Sequence, residues 1–534
     1  MTWHAARFFL GEALLLILAA VAALVAWLVP HRGAEVGRGL THRWVGGHIG
    51  PFAAFMERHF HSRRFSWVRA IAGAAIVAAA LFWFVSILRQ VLTNGQVVAA
   101  DHRLHNTLRL FHSAALYRFY AAITNLGGTS FIVPLAISLT VLFWMHGRRY
   151  EAILFMVAIA GAEVLTVALK YVVMRPRPAD AIGLVAGPSF PSGHTLAATS
   201  VYGILTFLLL REPQRRSWHV LGALVLISLI VLVPLSRVYL GVHWPHDVLA
   251  SLSLGAAWLA CLTLLVQYRP DRSASLSENP HALRRSHFTV FAILAVLYGL
   301  ILARTERVRE ARPQLPPPRL VSLPLITSFP TSLGKTSEDL VGGPMEPLAF
   351  LFLGNTGDLR ASFERAGWSL AETPSVSGLA KELFAVVRNA PDPHGPATPS
   401  YYLEQPQDFT FERAGDASGS IRHRHHIRIW REPICLAPGC TLVWGATCSY
   451  DRGIEFVAKP YLLTHQIDPR VDVEREFVAT TLRDAGAQDR GLITVTGPRR
   501  GRNAGGDSFT TDGRAHVIQL AQTQPPRAVD EAVR

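Results

Sequence analysis

The sequence predicts an all-α polytopic membrane helix bundle followed by a soluble α+β domain. Three observations carry that prediction. Apolar runs nearly free of charge fill about the first 305 of the 534 residues, most of them near the ~20 residues needed to cross a bilayer. The composition then changes at Pro313, Pro316, Pro317 and Pro318, which read as a stiff linker. Beyond it, short strand-like runs alternate with helical stretches that stop at glycine.

The apolar runs lie at 8–30, 68–93, 129–146, 151–170, 194–210, 217–235, 247–267 and 288–303, giving eight expected membrane helices. The first is expected to be retained rather than cleaved as a signal peptide. It is long, carries Glu12, and lacks a small-x-small site before the arginine-rich segment that follows. From Val97 to Tyr120, charged and apolar residues alternate at helical spacing, so an amphipathic helix on the outer membrane surface is expected there. The expected division is a membrane helix and basic connection (1–67), a membrane core (68–268), an additional membrane helix (269–312), a proline-rich linker (313–344), an α+β domain (345–497) and a largely flexible tail (498–534).

In the α+β domain, Asp358 to Ala366 reads as a helix stopping at Gly367, and Asp472 to Ala485 as another stopping at Gly486. Strands are expected at Leu348 to Leu353, Ile421 to Trp430 and Thr441 to Cys448. The tail after Pro498 is rich in Arg, Gly, Asp and Thr, with one short strand at Val517 to Leu520.

Orientation follows from the arginines, because short cytoplasmic loops are enriched in Lys and Arg. The connection at 31–67 and those near Arg148, Arg211 to Arg216 and Arg269 to Arg285 are basic and belong inside. Alternation of helices then places 171–193 and 236–246 outside. Counting an eighth helix puts the C-terminal domain outside too, although Arg304, Arg307, Arg309 and Arg312 pull the other way. The net charge of +14 is explained by contact between these connections and anionic lipid headgroups, with no need for nucleic acid.

Three polar blocks interrupt the apolar half: Lys170 to Pro178, Pro191 to His194, and Ser236 to Asp247. Taken singly, each suits an ordinary role. Arginines snorkel into headgroups, Ser-Gly opens many helices, and Asp247 in a first helical turn complements the helix dipole. One compositional fact favours a shared chemical role for the blocks. Lys170 is the only lysine before Lys335, a compact ammonium in a chain that otherwise supplies positive charge almost wholly as arginine.

Together the blocks supply the parts for phosphoryl transfer. A helix starting near His194 offers backbone N–H groups to an anion, and Gly193 permits close approach. Asp247 orients one ring nitrogen of His243 and leaves the other as a nucleophile. His194 serves as the proton donor, while Lys170, Arg177 and Arg237 neutralise the equatorial oxygens. His246 and Arg175 are expected to be peripheral. Glu163, about two turns below Lys170, is read either as a buried partner or as part of the pocket wall.

Lys170-x6-Arg177-Pro178, Pro191-Ser192-Gly193-His194 and Ser236-Arg237-x5-His243-x3-Asp247 resemble, in order and spacing, the three-part signature of the type-2 phosphatidic acid phosphatase superfamily. The resemblance covers roughly 68–268. It implies a six-helix core with its site at the outer face and no metal or other cofactor. It also implies His243 as nucleophile, Asp247 as its partner, His194 as acid/base, and Lys170, Arg177, Ser192, Gly193 and Arg237 as the phosphate-binding set.

The C-terminal region resembles the LssY C-terminal domain, through Phe363-Glu364-Arg365-Ala366-Gly367-Trp368, Ile427-Arg428-Ile429-Trp430, Thr464-His465-Gln466-Ile467-Asp468 and Asp472-Val473-Glu474-Arg475. His423 and His425, with His465, Asp468, Asp472 and Glu474, are read as surface polar residues in preference to a metal site. Cys435 and Cys440 flank a short loop, so one disulfide is allowed if the domain lies outside, with an odd thiol left over. The expected protein is a phosphatase of the bacterial inner membrane, its site facing the periplasm, acting on a phosphomonoester or diphosphate of a lipid such as phosphatidic acid or a polyprenyl diphosphate. The alternatives are phosphate transfer to another lipid or sugar acceptor, and an envelope or secretion accessory whose C-terminal domain is the working part.

Overall fold

A computed structural model describes residues 64–179, 181, 187–211, 217–267, 298–299, 318–322, 333–372, 399–415, 423–455 and 464–522. The expected helix at 8–30 lies outside the described residues, as does nearly all of that at 288–303. Among the described residues there are two compact units: one comprises 64–98 with 112–299, the other 99–111 with 318 onward.

The helices before residue 268 are α1 (Arg64–Leu92), α2 (Gln96–Leu110), α3 (Ala114–Asn125), α4 (Thr129–Met145), α5 (Arg149–Val173), α6 (Gly193–Arg211), α7 (Ser217–Tyr239) and α8 (Pro245–Gln267). Among the described residues, six spans are long and apolar enough to cross a membrane: Ile71–Leu92, Ala114–Met145, Arg149–Val173, Gly193–Leu210, His219–Tyr239 and Pro245–Leu264. Five of them match apolar runs expected between 68 and 267, whereas Ala114–Met145 starts fifteen residues before the expected 129–146 and takes in α3. At 1.5 Å per residue, α5 is about 38 Å long, enough for a hydrocarbon core of about 30 Å. The outward faces are apolar as well, with Val85, Met145, Val164, Val172 and Leu224 exposed. A bundle that is apolar on its outside suits lipid as solvent.

Burial ranks the helices by position. In α6 and α8, 72% and 61% of the span is buried, against 17% in α1 and 22% in α7, so α6 and α8 form the centre. They pack closely through small residues, the Gly203 backbone meeting Leu259 and Gly255 meeting Thr199. Phe155, Ala198, Val201, Ile204 and Leu259 form one cluster, and Phe190, Leu196, Ala250 and Leu254 another. Both central helices begin at a polar block, which places those blocks at the heart of the bundle's end. Helix α5 ends at Met174, which adopts the left-handed conformation (φ 50°), and Pro176 and Pro178 prevent its continuation.

In the second unit, a sheet runs in the order Gln488–Thr494, Arg514–Gln519, Phe350–Leu353, Thr441–Glu455, Arg424–Leu436, Phe409–Ala414, Ser369–Leu370, with Arg319–Val321 and Thr464–Ile467 paired at its sides. Its alternating residues separate into two apolar faces. One carries Ile427, Ile429, Trp444 and Ala446 against α9 (Thr356–Arg365) and α10 (Val471–Asp484) through Leu359, Phe363, Val478 and Leu482. The other carries Leu351, Leu353, Trp430, Val443 and Val517. The stops at Gly367 (φ 79°) and Gly486 (φ 93°) match the sequence expectation.

Two expectations are overturned here. The stretch after 498 is built into the domain: Arg499–Arg502 pairs with Ser508–Thr511, and Arg514–Gln519 lies inside the sheet beside Phe350–Leu353. Its Arg-, Gly- and Thr-rich composition reads as a tail because its outward residues are solvated. The 97–120 stretch is two helices, and residues 99–111 belong to the second unit. Asp101, Arg103, His105 and Thr107 are buried. Arg103 pairs with Glu338 at 2.5 Å, Thr107 Oγ1 lies 2.6 Å from the Tyr401 hydroxyl, and Asn106 donates to Glu404 O at 2.9 Å. The buried polar residues of α2 pair with protein, where the sequence suggested lipid.

Candidate active site

The three blocks converge. Lys170 stands in the last turn of α5 and donates to Pro188 O at 2.6 Å. Arg177, in the loop that follows, donates through Nε to Gly187 O (2.9 Å) and through Nη1 to Val242 O (2.6 Å), and its Nη1 lies 3.2 Å from His243 Nε2. Lys170 is in electrostatic range of Arg177, Arg237 and Asp247, and His194 of Arg237, His243, Arg177 and Lys170.

Helix α6 starts at Gly193, one residue before the expected start. Ser192 precedes it fully buried, accepting a hydrogen bond from the Thr195 hydroxyl at 3.0 Å and, through its carbonyl, from Leu196 N. Its own N–H is spent on Ser251 Oγ at 2.7 Å, so the open first-turn donors begin at Gly193. A Cβ on Gly193 would stand 3.1 Å from Thr166 Cγ2, tight enough to keep this position small. Arg237, in the last turn of α7, donates through Nη1 to Thr124 Oγ1 at 2.7 Å, and its buried Nε has no hydrogen-bond partner among the described residues.

His243 is 2% exposed and Asp247 0%. Proline at the start of α8 puts Asp247 in its first turn, with Oδ2 accepting the Trp244 N–H at 3.1 Å and lying 3.6 Å from His243 Nδ1. Nδ1 therefore faces the carboxylate and Nε2 faces Arg177. Burial holds the His243 imidazole down to about 4, so the ring is neutral near pH 7 with a lone pair available on one nitrogen. The arrangement presents a neutral imidazole nitrogen amid three cationic side chains and a helix N-terminus, which suits in-line attack on phosphorus.

All eight residues singled out in the sequence thus sit in one region, but others were missed. Arg175, expected to be peripheral, is buried and donates to Asp247 Oδ1 at 2.7 Å. Ser251 joins two blocks by accepting from Ser192 N and donating to Asp247 O at 2.7 Å. The second was findable, since Ser251 follows Asp247 by four residues on one helix face. Glu163 is exposed on α5 and is no buried partner.

In the second unit, His425, Glu474, Asp468 and Asp472, all weighed for a metal, are engaged in separate pairs. His425 Nδ1 meets Glu474 at 2.8 Å, Asp468 pairs with Arg470, and Asp472 accepts from Arg475 and Thr511. Among the described residues no three converge as metal ligands. Cys435 and Cys440 are joined as a disulfide, while Cys448 and Cys261 are free.

The chain is similar to several known proteins. Residues 151–271 match the PAP2 superfamily model, and residues 329–515 match the LssY C-terminus model. Phosphatidylglycerophosphatase B of Bacillus subtilis is 33% identical over 178 residues, covering 33% of this chain and 87% of that protein. An undecaprenyl-diphosphatase of Sulfolobus acidocaldarius is 29% identical over 195 residues, covering 35% and 88%. The crystal structure of a transmembrane PAP2 type phosphatidylglycerolphosphate phosphatase from Bacillus subtilis aligns over 37% of this chain and 98% of its own, with 26% identity and a TM-score of 0.35. With its signature blocks gathered at one end of a six-span helical bundle, and with a strand-rich second unit, the chain belongs to the PAP2 superfamily of membrane phosphatases and carries an LssY C-terminal domain.

Proposed function

We propose that the protein hydrolyses a phosphomonoester or diphosphate of a membrane lipid through a phosphohistidine, without a metal. His243 Nε2 forms a bond to phosphorus as the bond from phosphorus to the lipid oxygen breaks, and His194 gives that oxygen its proton. Water then loses a proton to His194 and attacks phosphorus, breaking the N–P bond and releasing inorganic phosphate. Asp247 holds the tautomer of His243. Lys170, Arg177, Arg237, the Ser192 hydroxyl and the Gly193 N–H bind the phosphate oxygens. The observation that carries this reading is the orientation of His243, with Nδ1 toward Asp247 and Nε2 toward Arg177. Relatives named for phosphatidylglycerophosphate and undecaprenyl diphosphate support a lipid substrate.

The protein resides in a bacterial inner membrane with the site facing the periplasm, the basic connections being inside. Counting a further membrane helix after residue 268 puts the C-terminal domain on the outer side, where the Cys435–Cys440 disulfide is favoured.

Purified protein in detergent is tested against phosphatidylglycerophosphate, phosphatidic acid and undecaprenyl diphosphate in EDTA. Release of phosphate from at least one, inhibition by vanadate, and its loss in His243→Ala are expected. Undiminished release in that variant refutes the assignment, and a strict requirement for added divalent cation refutes the metal-independent step.

A further inference from the structure

The carboxylate of Asp247 lies wholly inside the protein, where an ionised group is costly unless it is paired and hydrogen-bonded. Two donors hold it. Arg175 Nη1 gives Oδ1 a hydrogen bond of 2.7 Å, and the Trp244 N–H gives Oδ2 one of 3.1 Å. His243 Nδ1, at 3.6 Å, is the loosest of its three neighbours. The direction in which the carboxylate points is therefore set mainly by Arg175 and the Trp244 backbone.

Arg175 is itself fixed. Its carbonyl accepts the Ser189 N–H at 2.8 Å and the Ser189 hydroxyl at 3.2 Å. Its guanidinium lies over the Trp244 ring with a separation of 5.5 Å to the centroid, and the Trp244 indole donates to Pro176 O at 2.9 Å. These contacts bind the turn after α5 to the turn before α8. Arg175 and Arg177 stand two residues apart but meet opposite ends of the machinery. Arg177 faces the attacking nitrogen of His243, and Arg175 faces the carboxylate behind it.

We propose that Arg175 is a positioning residue for phosphoryl transfer, acting through Asp247 to orient His243 and making no contact with the phosphate. The proposal rests on the reading of His243 as nucleophile and Asp247 as its orienter. A planar guanidinium gives a carboxylate a hydrogen bond of fixed direction as well as charge, whereas a lysine ammonium keeps the charge and can donate but lacks that rigid geometry.

The test is a double-mutant cycle on the full-length protein in detergent, with kcat and KM for the preferred lipid phosphate and the inhibition constant for vanadate. Arg175→Gln is expected to lower kcat by about a hundredfold or more, while KM and the vanadate constant stay within about threefold of the wild type. Arg175→Lys is expected to recover part of kcat. In an Asp247→Asn background, Arg175→Gln should lower kcat by no more than about threefold, because its route of action is gone. Arg177→Gln serves as the contrast and should weaken vanadate binding.

Full additivity of Arg175→Gln with Asp247→Asn overturns the proposal, since a general loss of fold would also lower activity in the Asn background. A vanadate constant weakened in parallel with kcat overturns it too, placing Arg175 on the phosphate. Should Arg175→Gln fail to accumulate, the same cycle run with Arg175→Lys decides. His243→Ala separates the two assignments: retained activity there defeats the nucleophile, whereas loss there with an additive Arg175 cycle defeats this proposal alone.

Discussion

Glu432 offers a test that is independent of catalysis. It lies on Arg424–Leu436 and is 1% exposed. Its Oε1 is 2.9 Å from the Tyr402 hydroxyl, which also lies 3.0 Å from Gly334 O. One hydroxyl carries one proton, and a carbonyl only accepts. Both contacts are satisfied when Tyr402 donates to Gly334 and Glu432 itself is protonated and donates to Tyr402. Electrostatics points the same way, for burial pushes the Glu432 carboxyl up to about 8.

The folded domain therefore binds a proton at Glu432 that the unfolded chain releases above its ordinary 4.5. The resulting stabilisation is fully present below pH 4.5 and is lost as pH rises through 8. At about 1.4 kcal/mol per pH unit, the displacement from 4.5 to about 8 amounts to about 5 kcal/mol. Glu432→Gln keeps the shape and a donor while removing the titration. Urea unfolding of the C-terminal half, read by pulse proteolysis of the full-length protein between pH 5 and 9, measures the effect. The stability of wild type minus variant should fall with pH, by no more than about 1.4 kcal/mol per unit, and level off above 8. A difference that is flat, or that rises with pH, refutes a protonated Glu432.

Three further outcomes follow from packing and hydrogen bonding. Gly161 faces the Trp258 ring with no room for a Cβ, so Gly161→Leu should force α5 from α8 and cost about 1–3 kcal/mol, seen as a lower melting temperature in detergent. Ser251→Ala leaves the buried Ser192 N–H without its acceptor, and should cost about 1–3 kcal/mol and weaken vanadate binding. In the second unit, Asn355 and Asp358 form a capping box at the start of α9. Asn355→Ala should lower the stability of the C-terminal half by about 1 kcal/mol in the same urea experiment.

What the sequence made legible, and what it hid, follows from how far apart the partners lie. His243 and Asp247 are four residues apart at a helix start, and Ser192, Gly193 and His194 are consecutive, so their local geometry follows from helix rules. The apolar runs of α1 and α5 to α8 are read from length alone. Arg175 was hidden because its partner is 72 residues away and because the left-handed turn at Met174 decides where the arginines after it point. Sequence spacing through such a turn carries no periodicity. Arg103 shows the same limit in the second unit. Its helical pattern is amphipathic and suits a membrane surface, yet its carboxylate partner, Glu338, is 235 residues further on. In both cases an arginine that composition assigns to lipid is paired with a distant carboxylate. The first pair stands at the carboxylate that faces His243, and the second fixes residues 99–111 within the second unit.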